Sequence, residues 1–392
     1  MSTQHDILIV GGGIVGLSLA AALGRDGVDV ALVDARQPES GWPADSVDMR
    51  VYAITRASQS FLATLGAWDE IQALGVSPFR AIYVWDAGGG GDIRFDSAEL
   101  GEPCLGHIIE SRVIVRALWQ QLGNLPSVSR YVPALVESFD EVDGLPQVML
   151  RGGKALRARL LVGADGFASR VRGFAGIHAK ASDYGQKAIV AVVGTEKPHQ
   201  ETAWQRFLPT GPLAFLPLRD GRSSIVWSAT SGEAERLSSL GDDAFRAALA
   251  DAFDHRLGDI LDCSERVLFP LKRQHAEYYV KPRVALVGDA AHVIHPLAGQ
   301  GVNLGLQDAG VLAQVLTEAL GQGRDPGLMH TLRRYERARK GEVLAMMTAM
   351  DGFKTLFGSQ LPPLKAIRSL GLDLVDAATP VKNSIMRYAM GL

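Results

Sequence analysis

The sequence has little cysteine and no marked excess of charge of either sign. Among its 392 residues there are two cysteines, Cys104 and Cys263, and neither has a partner at metal-ligand spacing, which argues against a disulfide framework and a metal site. Lys and Arg number 40 and Asp and Glu 43, a formal net charge of -3, with no basic stripe of the kind that binds nucleic acid. We therefore expect a reducing compartment and neither a metal nor a nucleic-acid partner.

Long hydrophobic runs are also missing. No uncharged apolar stretch reaches the roughly 18 residues that a membrane-spanning helix needs, so any membrane contact is expected to be peripheral. The first residues lack the charged start, apolar segment and cleavage site of a signal peptide. What the sequence has is an ordinary globular composition, 47% hydrophobic and 21% charged, in a chain long enough for two domains. The expectation is a cytoplasmic, two-domain protein.

The N-terminal residues predict a strand, a tight turn and a helix. Gly11, Gly13 and Gly16 form a GxGxxG pattern between an apolar run that ends at Val10 and a stretch with helical spacing. The first glycine permits the sharp turn, the second lets backbone N–H groups approach a pyrophosphate, and the third allows close packing of helix on strand. Asp34 ends the next apolar run, where its carboxylate can accept ribose hydroxyls. The unit predicts dinucleotide binding, with NAD and FAD both compatible.

Two further glycine turns favour FAD. The segments Gly163–Arg172 and Gly288–Gly301 follow apolar runs, so both are expected at strand ends, where open α/β sheets bind ligands. Asp289 can accept hydrogen bonds from a ribityl chain. The last glycines of the second segment precede a helix whose N-terminus can stabilise negative charge on a reduced flavin. In an NAD-dependent dehydrogenase the loops around Asp165 and Asp289 would have no use.

The remaining pattern divides the chain into regions. Strand-like alternation at Ala81–Phe95 surrounds the glycines 88–91, which predicts a hairpin, and strand signals continue over Ile189–Phe269 with a helical insert near Asp242–Phe253. A buried strand is expected at Val284–Val287. We predict an α/β fold made of a Rossmann-like FAD-binding domain (1–75, 106–180 and 276–330), an interleaved, mainly antiparallel β-sheet substrate domain (76–105 and 181–275) and a C-terminal helical region (331–392).

Four segments carry a resemblance to a known family. Gly106–Arg112, Gln205–Leu218, Gly288–Asp308 and Pro380–Gly391, together with the glycine turns, resemble the class A flavoprotein aromatic hydroxylases, relatives of p-hydroxybenzoate hydroxylase. Within that family the chain is most similar to the ubiquinone-biosynthesis hydroxylases, and the resemblance covers nearly the whole sequence. It implies that NAD(P)H or another electron donor reduces FAD, that O2 is captured as a flavin C4a-hydroperoxide, and that one oxygen is transferred to an electron-rich phenol ring.

The resemblance also implies roles for single residues. Asp34 and Arg36 would contact the adenosine end of FAD, Arg112 the pyrophosphate and Asp289 the ribityl chain, while Arg50 would lie in a mobile flavin region. Relatives more often carry Glu where this chain has Asp34, whose carboxylate has a shorter reach. The predicted cofactor-binding residues are Gly11, Gly13, Gly16, Asp34, Arg36, Arg50, Arg112, Asp165, Asp289, Pro296, Gly299, Gln300, Gly301 and Asn303.

The substrate side of the predicted site is less sharply marked. The apolar, proline-containing segment 207–218 suits a wall facing an aromatic ring, although composition alone fits a core strand equally well, and the resemblance favours the pocket. Its lining candidates are Phe207, Pro209, Pro212 and Phe215. No catalytic base is identified: His292 and Pro296 are the candidates in this loop, and a histidine beside a flavin loop is more often a structural donor. Arg172 fits either a cofactor contact or a support of its loop.

The expected function is hydroxylation of the aromatic ring of a polyprenylated phenol or quinol intermediate of ubiquinone biosynthesis. The alternatives are a hydroxylase of a small soluble phenol and a non-catalytic flavin-binding assembly subunit. Met and Phe residues at helical spacing from Val343 onward indicate a core or subunit contact, such as a homo-oligomer, more readily than a membrane anchor. Because a polyprenylated substrate resides in the bilayer, we hypothesise that this C-terminal segment docks on the inner face of the membrane or on a ubiquinone-biosynthesis protein complex.

Overall fold

The computed structural model describes residues 3–43, 46–88, 91–294, 301–358 and 379–391. Its strands are β1 (Thr3–Val10), β2 (Val30–Val33), β3 (Val51–Thr55), β4 (Ser77–Phe79), β5 (Ala81–Asp86), β6 (Asp92–Asp96), β7 (Gly106–Glu110), β8 (Val128–Tyr131), β9 (Val136–Val142), β10 (Leu145–Leu150), β11 (Ala155–Gly163), β12 (Ala179–Thr195), β13 (Thr202–Leu208), β14 (Gly211–Pro217), β15 (Ser223–Thr230), β16 (Ile260–Cys263), β17 (Val267–Ala276), β18 (Val280–Lys281), β19 (Val284–Leu286) and β20 (His292–Val293).

The described helices include two long ones near the C-terminus. They are α1 (Ile14–Arg25), α2 (Arg56–Thr64), α3 (Trp68–Leu74), α4 (Ser111–Gly123), α5 (Arg170–Phe174), α6 (Ser231–Ser238), α7 (Asp242–Ala252), α8 (Gly301–Gly321), α9 (Met329–Gly358) and α10 (Thr379–Met390), with 3-10 turns at Ser97–Leu100 and Gly288–Ala290. Within the described ranges, no helix combines the length and the apolar character that crossing a membrane requires.

A parallel sheet forms the first layer. Its central order is β8-β2-β1-β11-β19, with every neighbouring pair parallel, which is the strand order of a Rossmann fold. Residues Ile7–Val10 of β1 and the whole of β2 are continuous apolar runs because helices cover both faces of such a sheet. Strand β18 pairs antiparallel with β19 at one edge, and β10 pairs antiparallel with β11. The expected Rossmann-like unit is confirmed.

A nine-stranded sheet forms the second region. Its order is β20-β17-β12-β15-β14-β13-β5-β6, with β16 also on β12, and the pairs are antiparallel except β13 with β5. The hairpin expected around the glycines 88–91 is present as the antiparallel pair β5 and β6. Helices α6 and α7 cover one face, where they share a hydrophobic core with the sheet. The other face is turned toward the cavity described below.

The strand pairing crosses the predicted domain division in two places. Strand β4, in the range 76–105 assigned to the substrate domain, pairs with β7 in a small three-stranded sheet with β3. Strand β20, in the range 276–330 assigned to the FAD-binding domain, extends the nine-stranded sheet through its pairing with β17. The two regions are therefore joined by shared strands as well as by packing.

Candidate active site

One cavity of about 1220 Å³ extends along the carboxyl ends of the parallel strands to the nine-stranded sheet. This is larger than the roughly 300–1,000 Å³ of a typical small-molecule pocket. Backbone and charged groups line one end, which we call the polar end; it includes residues 10–15, 33–38, 50–53, 164–166 and Asp289. Side chains of Phe79, Ile82, Phe95, Leu105, Ala203, Pro212, Ala214, Leu216, Val226, Ile385, Met386 and Met390 line the other, which we call the apolar end.

The first glycine turn brings β1, β11 and α1 into direct contact. Gly11 has a φ of +117°, and a Cβ on it would lie 2.2 Å from the carbonyl oxygen of Ala164. A Cβ on Gly16 would lie 1.9 Å from the carbonyl oxygen of Gly11. Gly13 differs, because a Cβ there meets nothing within 4 Å and would project into open space at the cavity. Backbone can therefore be approached closely at Gly13, at the N-terminus of α1, where first-turn N–H groups can bind an anion.

The Asp34 carboxylate borders the same turn. Its Oδ2 accepts the Gly12 N–H at 2.6 Å and its Oδ1 accepts the Arg36 N–H at 2.7 Å. These two bonds fix the orientation of the carboxylate, which lines the cavity together with the Arg36 residue. Each oxygen keeps further acceptor capacity. The geometry can therefore present Asp34 to the hydroxyls of a ribose.

Asp165 holds the second turn together. It accepts a bond from the Ser169 hydroxyl at 2.5 Å and from the Arg170 N–H at 2.7 Å, so it closes the loop that begins α5. Arg172 donates to the carbonyl oxygens of Ala290 and Phe167, both at 2.9 Å, and thereby ties the second turn to the third. The sequence left two roles open for Arg172, a contact with the cofactor or support of its loop. These bonds favour support of the loop. Asp165 itself lines the cavity.

The third turn rests on a buried ion cluster. Asp308, on α8, is completely buried and accepts the Gly288 N–H at 3.0 Å, the His292 Nε2–H at 2.6 Å and the Arg339 Nε–H at 2.8 Å. Burial alone would raise the pKa of the Asp308 carboxyl, but His292 and Arg339 outweigh burial and hold that pKa below its usual value. His292 is itself 2% exposed. It therefore faces Asp308 and not the cavity, as a structural donor would.

Asp289 projects from this supported turn into the polar end. Its side chain is reached through the cavity, yet surrounding protein atoms raise the pKa of its carboxyl, against smaller opposing effects of His292 and Arg50. Tyr52 lines the cavity nearby. Burial, and then the charge of Asp289, raise the pKa of the Tyr52 phenol, so it is a neutral hydrogen-bond donor near neutral pH. Tyr52 was not among the predicted site residues; its only sequence signal is its position two residues after Arg50, on the same side of the chain at the start of β3.

Some predicted cofactor residues lie outside the cavity wall. The Arg112 guanidinium contacts Glu110 and Ser46 and lies 4.6 Å from the ring centroid of Trp42, so it holds the preceding loop. Asn303 is buried and bonds the backbone of Ala53 and Thr55, which ties α8 to β3. Gly301 does line the cavity. Pro296, Gly299 and Gln300 lie outside the described residues.

The apolar end exposes one face of strand β14. Pro212, Ala214 and Leu216 line the cavity, and the alternate residues Leu213 and Phe215 are fully buried on the other face, where Phe215 stacks on Phe253 of the core under α7. The structure thus corrects the predicted substrate wall. Of the two predicted lining residues on β14, Pro212 lines the cavity, whereas Phe215 faces away from it.

The other two candidates also lie off the wall. Phe207 shares its sheet face with Ala203 and Gln205, which line the cavity, but it is buried and does not reach it. Pro209 is exposed in the turn after β13. Residues from α10 complete the wall in their place, in a C-terminal segment for which the sequence favours a core or subunit contact and docking on a membrane or a protein complex is a hypothesis. Gln205 and Ser228 are polar groups on the same wall.

The polar end fits FAD in its chemistry. It offers an open glycine turn at a helix N-terminus for a pyrophosphate, a carboxylate at the end of β2 for a ribose, and the Asp289 carboxylate for a ribityl chain. The neighbouring apolar end offers space for a second molecule, which could pack against the ring of a flavin bound at the polar end. Fold and site together define a flavin-dependent oxidoreductase with an attached substrate chamber.

Comparison with known proteins agrees with this class. Residues 4–349 match the family model described as FAD binding domain. The chain is 40% identical over 387 residues to the 3-demethoxyubiquinol 3-hydroxylase of Escherichia coli K12, covering 99% of this chain and 98% of that protein. It is also 40% identical to the ubiquinone hydroxylase UbiL of Rhodospirillum rubrum, covering 98% of this chain and 89% of that protein. The chain therefore belongs to the FAD-binding-domain family, as an FAD-dependent aromatic-ring monooxygenase.

A solved structure supports the fold. The p-nitrophenol 4-monooxygenase PnpA of Pseudomonas putida DLL-E4 superimposes with a TM-score of 0.82 at 21% identity, covering 100% of this chain and 99% of that chain. At this identity the likeness concerns the architecture only. It shows that the parallel sheet, the nine-stranded sheet and the helices form an arrangement already known from an experimental structure.

Proposed function

We propose that this protein hydroxylates the aromatic ring of a polyprenylated phenol or quinol intermediate of ubiquinone biosynthesis. The observation that carries the proposal is the continuity of the cavity, which joins the dinucleotide-binding turns to an apolar wall on the nine-stranded sheet. Relatives named for ubiquinone hydroxylation match nearly the full chain. The apolar end can therefore bind a hydrophobic aromatic ring next to the FAD site.

The chemistry requires a cofactor and two further reactants. FAD, when bound and reduced by NAD(P)H or another electron donor, supplies the electrons that activate O2. One ring C–H becomes C–OH, and the second oxygen atom leaves as water after uptake of two electrons and two protons. The protein's task is to place the ring, to keep water from the reacting atoms and to orient donors on the flavin. The apolar end suits the first two tasks.

We assign the polar groups of the cavity to the cofactor. In this proposal Gly11, Gly13 and Gly16 shape the pyrophosphate turn, and Asp34 and Asp289 accept bonds from the ribose and ribityl hydroxyls. Arg50, Arg36 and Asp165 line the same end and contact FAD or the pyridine nucleotide. Arg112 acts through the loop that it holds. His292 acts through Asp308, so we propose no catalytic base.

Two alternatives remain to be distinguished by experiment. A hydroxylase of a small soluble phenol would use the same polar end and would place only an aromatic ring in the apolar end. A flavin-binding assembly subunit would bind FAD without turnover. Peripheral contact with the inner face of the membrane, assembly with other proteins of the pathway and a homo-oligomer stay predictions.

The test begins with the absorption spectrum of the purified full-length protein. We expect flavin bands near stoichiometry, anaerobic reduction by an added donor, and hydroxylated product after O2 is admitted with a prenylated phenol. The unprenylated ring serves as the matched substrate control. Equal turnover of both substrates would favour the small-phenol hydroxylase. Flavin oxidation with no product from either substrate would favour the assembly subunit, and a folded protein that stays colourless with added FAD would overturn the proposal.

A further inference from the structure

Helix α10 forms part of the apolar end although it follows the cavity's other walls by more than 70 residues in the chain. Met386 and Met390 are each 3% exposed and belong to a hydrophobic cluster with Phe79 and Leu105. All four of these side chains line the cavity. The helix is therefore a wall of the substrate chamber and faces β4 and the nine-stranded sheet across it.

Polar and backbone contacts hold α10 in this position. The Lys382 Nζ lies 2.9 Å from the Glu99 Oε1, and the lysine side chain is 8% exposed. Lys382, Met386 and Met390 are spaced four residues apart, so they share one face of the helix. Just after the helix, Gly391 has a φ of +73°, and a Cβ there would lie 2.6 Å from the Ala57 Cβ. Both ends of α10 are thus fitted to the body of the protein.

Ile385 marks an opening of the cavity. It lines the cavity and is also 43% exposed to solvent. Met386 and Met390 line the same cavity from the same helix and are each only 3% exposed, so the exposure of Ile385 points to an opening of the cavity beside it. A large exposed isoleucine at such a mouth suits an apolar ligand that extends from the inside to the outside.

We propose that α10 binds the isoprenoid tail of the substrate and that the tail leaves the protein beside Ile385. This inference rests on the proposed function, because it concerns the tail of that substrate. With the ring beside the flavin, the tail passes Met386 and Met390, whose flexible thioether side chains adapt to an irregular chain. Ile385 then contacts the tail at the mouth. Tail recognition is a property of α10, and ring recognition a property of the nine-stranded sheet.

The test compares two neighbouring positions of α10. Ile385→Asp places a charge at the mouth, and Ser384→Asp places the same charge on an exposed residue that does not line the cavity. For the holoenzyme, kcat/KM is measured with one phenol ring carrying either a long isoprenoid tail or a single prenyl unit. Loss of contact with a few methylene groups should lower the long-to-short ratio by about tenfold in Ile385→Asp. The ratio in Ser384→Asp should match that of the wild type.

Binding of the long-tailed phenol, measured by calorimetry without turnover, gives a second readout. Ile385→Ser serves as a milder variant, and flavin content and thermal stability show that each variant is folded. A ratio in Ile385→Asp equal to that in Ser384→Asp, with equal binding, would overturn the tail site while hydroxylation by the wild type still upheld the proposed function. A wild type that hydroxylates both substrates equally well would also overturn it. Absence of any hydroxylation would instead remove the proposed function.

Discussion

The two ends of the cavity are built in different ways. The polar end consists mainly of backbone turns that follow the parallel strands β1, β2, β11 and β19, with residues 50–53 at the start of β3 beside them. The apolar end consists of side chains from β4, β5, β6, β13, β14, β15 and α10, which are distant in sequence. Binding at the polar end thus depends on local backbone geometry, and binding at the apolar end on which face of each strand is turned inward.

This difference predicts different responses to mutation. At the polar end a single methyl group can be incompatible with the fold, because glycine contacts there involve backbone atoms that cannot move apart. At the apolar end neighbouring residues of one strand belong alternately to the chamber and to the core. At some positions of the polar end, one substitution should therefore lower both stability and ligand binding. At the apolar end, substitutions at neighbouring residues should affect either stability or substrate binding.

The largest effect is expected from Gly11→Ala. The added Cβ would overlap the Ala164 carbonyl, and the φ of Gly11 is unfavourable for alanine, so a cost of more than about 4 kcal/mol is expected. The variant should be insoluble or free of flavin. Solubility and flavin absorbance measure the outcome.

Gly13→Ala is the matched control, because the same methyl group projects into open space. Its apoprotein should unfold within about 1 kcal/mol of the wild type, while its FAD affinity falls by about tenfold or more because backbone approach is blocked. If Gly11→Ala instead bound FAD normally, the close contact of β1, β11 and α1 would have no part in the site.

The polar end could be predicted from the sequence more completely than the apolar end, because its geometry is local in the chain. The sequence placed Gly11, Gly13, Asp34 and Asp289 at the ends of strands, and the structure puts all four on the cavity wall, because strand ends followed by turns leave a local pattern that backbone chemistry explains; that they bind FAD stays a prediction. The facing of β14 left no such pattern, since both of its faces are apolar: one packs under α7 and the other lines the cavity. Phe215 was therefore assigned to the wrong side.

Contacts between distant segments were not predictable in the same way. His292 was considered as a base because its loop lies near the flavin, but its partner Asp308 lies on the following helix and Arg339 on the one after that. The only signal was a charged residue in an apolar stretch of α8. The role of α10 depends on where the chain returns to the body of the protein, which neither periodicity nor composition specifies.

The next effect in size concerns the support of the third turn. Asp308→Asn leaves His292 and the Arg339 Nε facing a neutral amide, while Glu342 still pairs with the Arg339 guanidinium; breaking a buried charge cluster typically costs about 3–5 kcal/mol, and we expect the lower part of that range. We expect a lower free energy of unfolding in urea and weaker retention of FAD, because the Gly288 N–H is bonded to the same carboxylate.

Asp325→Asn provides the comparison for Asp308→Asn. Asp325 pairs with Arg283 at 3.0 Å and accepts the Gly327 N–H at 2.9 Å, but both side chains of the ion pair are 25% exposed, so solvent partly screens the pair and a cost of about 1–2 kcal/mol is expected. FAD retention should be unchanged there. Equal losses of stability in the two variants would mean that the cluster around Asp308 is no more than an ordinary partly exposed ion pair.

The smallest effects should separate the two faces of β14. Phe215→Leu reduces packing against Phe253 and should lower the free energy of unfolding by about 1–2 kcal/mol with little change in KM for the prenylated phenol. Ala214→Leu, one residue away, adds volume inside the chamber. It should leave stability within about 1 kcal/mol of the wild type and raise KM several-fold. If both substitutions changed KM by the same factor, stability and substrate binding would be coupled at the apolar end as well. The division of β14 into a core face and a chamber face would then be wrong.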